Sequence, residues 1–240
     1  MKRFLVIFTC CVSILSAVLF VLNIEVTTRQ GIDYELAVKK IPLYLKTLDF
    51  LDRHYNYKFL TRGILSGEVS DEGKAVKLLA WTRNNIRRNP PGLPVVDDHV
   101  WHIIVRGYGV NDQYQDVFST LCNYAGLDAF FGQLYSDDRS CVKILSFVKL
   151  KGGWSVFDAY DGIYFRNRSG RVATVNNIRE GDREPVSVLG EKIAYDYGPI
   201  FDNIPSVRFR DWIGSRPAIQ SPARRFIIWL KSGFLDDTWN

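Results

Sequence analysis

Cysteine and histidine are scarce in this sequence, with four and three copies among 240 residues. Cys10 and Cys11 lie in the apolar N-terminus, which leaves Cys122 and Cys141 in the rest of the chain. Two cysteines do not make a disulfide framework, so the class of small disulfide-rich domains is excluded. The two could form a single disulfide in an exported domain, but a buried thiol on a helix and another on a strand are favoured.

Internal repeats, low-complexity segments and nucleic-acid-binding motifs are also absent, so nucleic acid is not expected as a partner. The hydrophobic content of 47% and the aromatic content of 14% are typical of a folded protein and exclude general disorder. The net charge of +5 is modest. It suits a membrane-adjacent surface or an acidic ligand, and solvated lysines and arginines explain it equally well.

The sequence has one long apolar run, which extends without charge over residues 4–24. Its length matches the roughly 20 residues that cross a bilayer as a helix. It lacks the small-residue exit of a cleaved secretory signal, so an uncleaved membrane anchor over residues 1–25 is favoured. Lys2 and Arg3 precede it and predict a cytoplasmic N-terminus, with the remaining chain on the other side of the membrane.

Helical patterns dominate the next part of the chain. Residues 26–70 are interpreted as a helical packing segment, with helix over most of Asp33–Leu60, and residues 71–240 as the main domain. Ser70 or Asp71 begins a further helix that is expected to reach about Arg88, before Pro90 and Pro91 stop it.

A central helix is predicted to begin at Asn111 or Asp112, because both residue types are preferred N-caps. Apolar residues recur at helical spacing through Val117, Phe118, Leu121, Cys122 and Ala125. Gly126 follows this stripe and is predicted to end the helix in the left-handed conformation that glycine favours.

The hydrophobic period then changes from helical to alternating. Residues 130–135, 141–150 and 154–158 are predicted strands, with a hairpin turn over 151–153. Beyond residue 162 the pattern is weak until Ser221, where a final helix is expected to begin.

Two of these runs resemble motifs of the transglutaminase-like superfamily, papain-related enzymes that use Cys, His and Asp. They are Gly107–Gln113, at the start of the central helix, and Trp154-Ser-Val-Phe-Asp158 in the last strand. The resemblance covers about 71–162 and leaves the later residues as a C-terminal extension. It implies an α+β fold in which a helix packs on an antiparallel sheet, as in papain.

The resemblance also implies a catalytic triad that this chain has lost. Asn111 occupies the position of the nucleophilic cysteine, and Asp158 matches the aspartate. The family spacing places the histidine at about Lys143, and no histidine follows His102 anywhere in the sequence. An amide cannot attack an acyl group, and an ordinary lysine stays protonated at neutral pH. The chain is therefore expected to be a catalytically degenerate member.

Each triad position also has a structural interpretation. Asn111 is favoured as a helix cap, with ligand contact as a second role. Lys143 is either a surface residue or a partner of Asp158 in a cleft wall, and Asp158 is equally well explained as a carboxylate that fixes a turn. The expected binding residues are Tyr108, Asn111, Asp112, Gln113, Lys143, Trp154 and Asp158.

Neither a metal nor a cofactor is predicted. The run Asp97–His102 holds two carboxylates and two imidazoles, but no second cluster completes a metal site, so packing of its apolar residues is favoured. Cys141, with His99 or His102, remains the alternative source of a displaced nucleophile, whereas Cys122 lies on the apolar stripe and is expected to be inert.

The leading hypothesis is a membrane-anchored binding or scaffolding module for a peptide or a cell-surface polymer, with a polysaccharide as one candidate ligand. The first alternative is an active hydrolase or acyltransferase that uses a displaced nucleophile. The second is a structural partner of another protein in a membrane complex.

Overall fold

The computed structural model describes residues 2–33, 35–97, 99–202, 204, 207, 215–217, 220 and 221. They form an α+β fold, as the sequence predicted. The helices are α1 (Lys2–Leu22), α2 (Leu43–Ile64), α3 (Asp71–Asn85), α4 (Val100–Arg106), α5 (Asn111–Tyr124), α6 (Val175–Arg179) and α7 (Gly198–Phe201). The strands are β1 (Glu25–Ile32), β2 (Glu35–Pro42), β3 (Arg87–Arg88), β4 (Val96–Asp97), β5 (Tyr108–Gly109), β6 (Ala129–Tyr135), β7 (Val142–Leu150), β8 (Gly153–Asp158), β9 (Ile163–Arg166) and β10 (Glu184–Ser187).

The chain divides into two compact units. The first comprises Met1–Tyr55 and Pro94–Asp98, and the second comprises Asn56–Leu93 and the described residues of His99–Asn240. Helix α1 belongs to the first unit and has 21 residues. Within the described ranges it is the one helix long and apolar enough to cross a membrane. At 1.5 Å per residue its length is close to the roughly 30 Å of a bilayer core.

The sequence prediction of helix from Asp33 was wrong for residues 35–42, which form a strand. This strand, β2, pairs antiparallel with β1, so that Glu25 lies opposite Pro42 and Ile32 opposite Glu35. The β-branched residues of β1 favour extended backbone, and the ladder between the two strands satisfies the backbone of β2. Pro42 ends the strand, and α2 begins at the next residue.

Helix α3 begins where the sequence predicted and ends earlier. The Ser70 side chain caps it by accepting a hydrogen bond from the Gly73 amide at 3.0 Å. The helix stops at Asn85 rather than near Arg88. Arg87 and Arg88 instead form β3, which pairs in parallel with β5. A non-local strand pairing therefore overrides a favourable helical sequence.

A five-stranded antiparallel sheet forms the centre of the second unit, in the order β10-β9-β8-β7-β6. Successive side chains of each strand point to opposite faces of the sheet, so the sheet separates two apolar clusters. One cluster lies between the sheet and α5, where the rings of Phe118 and Phe157 are 5.3 Å apart. The other includes Phe165 and Phe201, whose rings are 4.8 Å apart. The predicted helix-on-sheet arrangement is therefore present.

The start of α5 differs in detail from the prediction. The N-cap position is Val110, so neither Asn111 nor Asp112 is the cap. The Gln113 side chain caps the helix start instead, because its Oε1 accepts a hydrogen bond from the Val110 amide at 3.2 Å. At the other end Gly126 has a φ of +88°, as its predicted C-cap role requires. The final helix predicted from Ser221 lies outside the described residues.

We expect Gly162→Ala to destabilise the protein more than Gly170→Ala. Both glycines have positive φ, +67° and +76°, so each alanine costs about 1–2 kcal/mol in backbone strain. A Cβ at Gly162 would also lie 2.8 Å from Cγ of Arg83, whereas none of the surrounding atoms lies within 4 Å of a Cβ at Gly170. The added overpacking costs about 1–3 kcal/mol. Urea unfolding measures both free energies, and equal losses would show that the contact with Arg83 has no energetic weight.

Candidate functional site

The N-terminus of α5 is held by hydrogen bonds among its first residues and by one from Arg106 of α4. Gln113 Oε1 accepts from the Arg106 guanidinium at 3.1 Å as well as from the Val110 amide. Asp112 Oδ1 accepts from the Gln113 amide at 2.9 Å. Arg106 also lies 5.7 Å from the centre of the Tyr108 ring. These predicted binding residues therefore lie together, and the contacts of Gln113 organise the helix start.

Lys143 and Asp158 form a buried ion pair. Lys143 Nζ lies 2.6 Å from Asp158 Oδ2 and 2.6 Å from Asp161 Oδ2. The Asp158 side chain is fully buried, and the Lys143 side chain is 9% exposed. Arg88 adds a second cation at 3.3 Å from Asp161. Of the two sequence interpretations of Lys143, the ion pair is present and the solvated surface residue is wrong.

Asp158 also accepts hydrogen bonds from other parts of the chain. The amides of Tyr160 and Asp161 donate to its Oδ1 at 3.0 and 3.2 Å, so the carboxylate also fixes the turn after β8. Gln115 Nε2 donates to Oδ1 at 3.3 Å, and the Tyr197 hydroxyl donates to Oδ2 at 2.8 Å. A buried carboxylate needs such donors to compensate for the loss of water. Both interpretations of Asp158, ion-pair partner and turn residue, are therefore present together.

Gln115 connects Asn111 to Asp158, two of the three triad positions, and the sequence analysis did not identify it. Its Nε2 donates to Asn111 Oδ1 at 3.4 Å as well as to Asp158. Its Oε1 accepts from Ser146 Oγ at 2.8 Å and from the Ala159 amide at 3.2 Å. The side chain is fully buried. Its position four residues after Asn111, on the same helical face, was the one available signal.

Two tyrosines cover Lys143 from the segment before α7. Nζ of Lys143 lies 4.5 Å from the centre of the Tyr195 ring and 5.4 Å from that of Tyr197. Such contacts favour the charged ammonium. The sequence analysis missed both tyrosines, because the family resemblance fades before them and their spacing carries no recognisable motif.

The electrostatics keep Lys143 protonated. Burial alone would lower the pKa of Lys143, but the charge and hydrogen bond of Asp158, with a smaller effect of Asp161, raise the pKa above its ordinary value. Burial, and then the nearby charge of Asp158, raise the pKa of Tyr197. At neutral pH the cluster therefore contains an ammonium and a neutral phenol, and neither is a general base.

Trp154 does not join this cluster. Its ring packs edge-on against Phe130, with a centroid distance of 5.3 Å, in the apolar layer under the sheet. The family motif therefore placed Trp154 on the correct strand, but its described contacts are those of a core residue.

The remaining thiols and imidazoles are dispersed. Cys122 is fully buried, and burial raises the pKa of its thiol well above the ordinary value. Cys141 is half-buried just before β7, with Ser140 Oγ 3.8 Å from its sulfur. The rings of His99 and His102 are 5.7 Å apart. Among the residues that the structure describes, no group of three or more His, Cys, Asp or Glu side chains is arranged to hold a metal ion.

A cleft of about 220 Å³ lies next to the buried cluster. Asp161 and Tyr195 belong to both the cluster and the cleft wall. The other charged residues of the wall are Arg83, Arg88, Glu191 and Lys192. The cleft therefore combines cations, carboxylates and apolar surface beside the Lys143–Asp158 ion pair.

We expect Lys143→Met to lower the free energy of unfolding by about 3–5 kcal/mol, because it leaves Asp158 buried without its cation. Lys149→Met is the matched control, since Lys149 lies on the same strand with an exposed side chain. Its loss should stay within about 0.5 kcal/mol. Urea unfolding at pH 7 measures both variants, and similar losses would show that the ion pair does not stabilise the fold.

We also expect stability to fall at alkaline pH. Lys143 and Tyr197 both have raised pKa values, so the folded protein holds their protons more tightly than the unfolded chain does. This contribution is complete below the ordinary values of about 10 and is lost as pH rises through the folded-state values. The unfolding free energy measured from pH 8 to pH 11 should therefore fall less steeply in Tyr197→Phe than in the native chain. Burial raises the pKa of Tyr114 to about 12, and this residue contributes equally to the pH dependence of the native chain and of the variant. Identical slopes would contradict the assignment to Tyr197.

The comparisons with known proteins agree with the sequence resemblance. Residues 58–159 match the family model described as the transglutaminase-like superfamily. No protein with a curated description matches the chain significantly.

Two solved structures are similar to this chain. One is described as a candidate cysteine protease from Cytophaga hutchinsonii, with 14% identity, a TM-score of 0.38, and coverage of 56% of this chain and 47% of that one. The other is described as a candidate protease from Parabacteroides distasonis, with 15% identity, a TM-score of 0.38, and coverage of 70% and 40%. The matched part spans less than half the length of either protein. The family match identifies the segment 58–159 of this chain as a member of the transglutaminase-like superfamily.

Proposed function

We propose that this protein is a non-catalytic transglutaminase-like protein that binds a ligand without cleaving it. The observation that carries the proposal is the buried ion pair of Lys143 with Asp158, read together with the triad positions that the sequence resemblance implies. Asn111 stands where a thiol is required, and Lys143 stands where an imidazole is required, held by Asp158 and Asp161. Triad members act as a unit, so the remaining aspartate does not sustain thiol chemistry.

The closed hydrogen-bond network further disfavours acyl transfer at this position. The amide of Gln115 occupies the space between Asn111 and Asp158, and the Tyr197 hydroxyl occupies a second face of the carboxylate. General base catalysis needs an acceptor near neutral pH beside the nucleophile. The protonated Lys143 provides no such acceptor.

A binding role is supported by the cleft beside this network. Its charged and apolar wall has the mixed character of ligand sites, in which a few polar groups orient a ligand on an apolar surface. The proposed ligand is a peptide or a cell-surface polysaccharide. A protein of a membrane complex is the other candidate partner.

The proposed location is a membrane, with the apolar run 4–24, most of which lies in α1, as a single-pass anchor. Lys2 and Arg3 favour a cytoplasmic N-terminus, which would place the transglutaminase-like core outside the cytoplasm. A core on that side would be positioned to meet polymers of the cell surface.

The test uses the full chain in detergent micelles with panels of peptides and surface polysaccharides. We expect ligand binding by calorimetry with no change in ligand mass after prolonged incubation. Amine incorporation into a glutamine peptide should stay at background in the native chain and in Cys141→Ser. Turnover that disappears in Cys141→Ser would instead establish an enzyme with a displaced nucleophile.

A further inference from the structure

The cleft beside the buried cluster contains a cation, Arg83, that has no hydrogen-bond or ion-pair partner among the described residues. No hydrogen bond or ion pair joins the Arg83 guanidinium to any residue that the structure describes, and Arg83 Nε is buried. An uncompensated buried donor is costly, because it has lost water and gained nothing in return. An anion in the cleft would give the Arg83 guanidinium a partner of opposite charge.

The Arg83 side chain is held in place by the turn after β8. Its stem passes so close to Gly162 that a Cβ there would overlap it. A guanidinium on a fixed stem loses little rotamer freedom on binding and presents a planar fork to a carboxylate. The cation is therefore positioned before any ligand arrives.

The charges of the cleft favour a ligand with one negative group. Asp161 is already paired with Lys143 and Arg88, so it contributes little repulsion. Of the remaining wall residues, Arg83 and Lys192 are positive and Glu191 is negative. One excess positive charge matches a monoanionic carboxylate better than a dianionic phosphate.

The other wall residues favour a sugar over an acidic peptide. Glu191 can accept hydrogen bonds from sugar hydroxyls and Ser187 can exchange them, while Ile193 and Tyr195 offer apolar surface to a ring face. A run of acidic residues would instead bring further carboxylates towards Glu191. The volume of about 220 Å³ is below the roughly 300–1,000 Å³ of sites for drug-sized ligands. It suits one sugar unit.

We propose that this cleft binds a carboxylate-bearing sugar residue of an acidic polysaccharide, with Arg83 contacting the carboxylate and Lys192 at the rim. This inference rests on the proposed function, because it names the ligand class of the binding module.

The test measures binding of tetragalacturonate to the full chain in detergent micelles by calorimetry. The methyl ester of the same oligosaccharide is the matched ligand control, since it neutralises each carboxylate and adds only a methyl group there. We expect Arg83→Gln to weaken tetragalacturonate binding by about tenfold or more, as loss of a hydrogen bond to a charged group does. Lys192→Gln should weaken it by a smaller factor. Arg87→Gln should change it less than twofold, because Arg87 is an exposed neighbour that does not line the cleft.

Several results would overturn the inference: equal affinity for the methyl ester, no effect of Arg83→Gln, or tighter binding of inorganic phosphate or a tetraglutamate peptide. If Arg83→Gln does not fold, as judged by circular dichroism, Lys192→Gln and the methyl ester decide the question. Binding of uncleaved neutral polysaccharide or peptide, without binding of tetragalacturonate, contradicts this inference and leaves the proposed function intact. Cleavage of any bound ligand contradicts the proposed function.

Discussion

The burial of the Asp158 carboxylate is the constraint on which the candidate site depends. A charged group with no exposed surface is stable only when donors replace the water it has lost. Here those donors come from α5 through Gln115, from β7 through Lys143, from the following turn, and from the segment before α7 through Tyr197. One carboxylate therefore joins elements that are far apart in the sequence.

The same network is the basis for proposing that this chain binds a ligand without thiol chemistry. A catalytic imidazole must exchange a proton near neutral pH, whereas the ammonium of Lys143 keeps its proton because two carboxylates surround it. Two carboxylates beside the ammonium stabilise its charged form, which leaves Lys143 without a free electron pair at neutral pH. The cleft beside it contains Arg83, which has no hydrogen-bond partner among the described residues, so the proposed ligand site lies next to the ion pair rather than within it.

The sequence predicted those features that depend on local pattern. Helix α5 and strands β6 to β8 were predicted from capping residues and from the period of the hydrophobic residues. The family spacing singled out Lys143 as a possible partner of Asp158, and the two residues are in contact. Residues 35–42 were predicted as helix because only the pairing with β1 makes them a strand. Gln115 and Tyr197 were missed because a glutamine within a helix and a tyrosine after a loop carry no signal until the fold brings them together. Trp154 matched the motif, yet its contacts lie in the core.

The most direct test of the closed triad is a double-mutant cycle between Lys143 and Asp158. It uses Lys143→Met, Asp158→Asn and the combined variant, with unfolding free energies measured at pH 7. If the former catalytic position is now a structural ion pair, the coupling energy should be about 2 kcal/mol or more, in the upper part of the range for residues in contact. A coupling energy below about 0.5 kcal/mol would contradict this, because the two residues would then contribute independently and Lys143 would be free to serve another role.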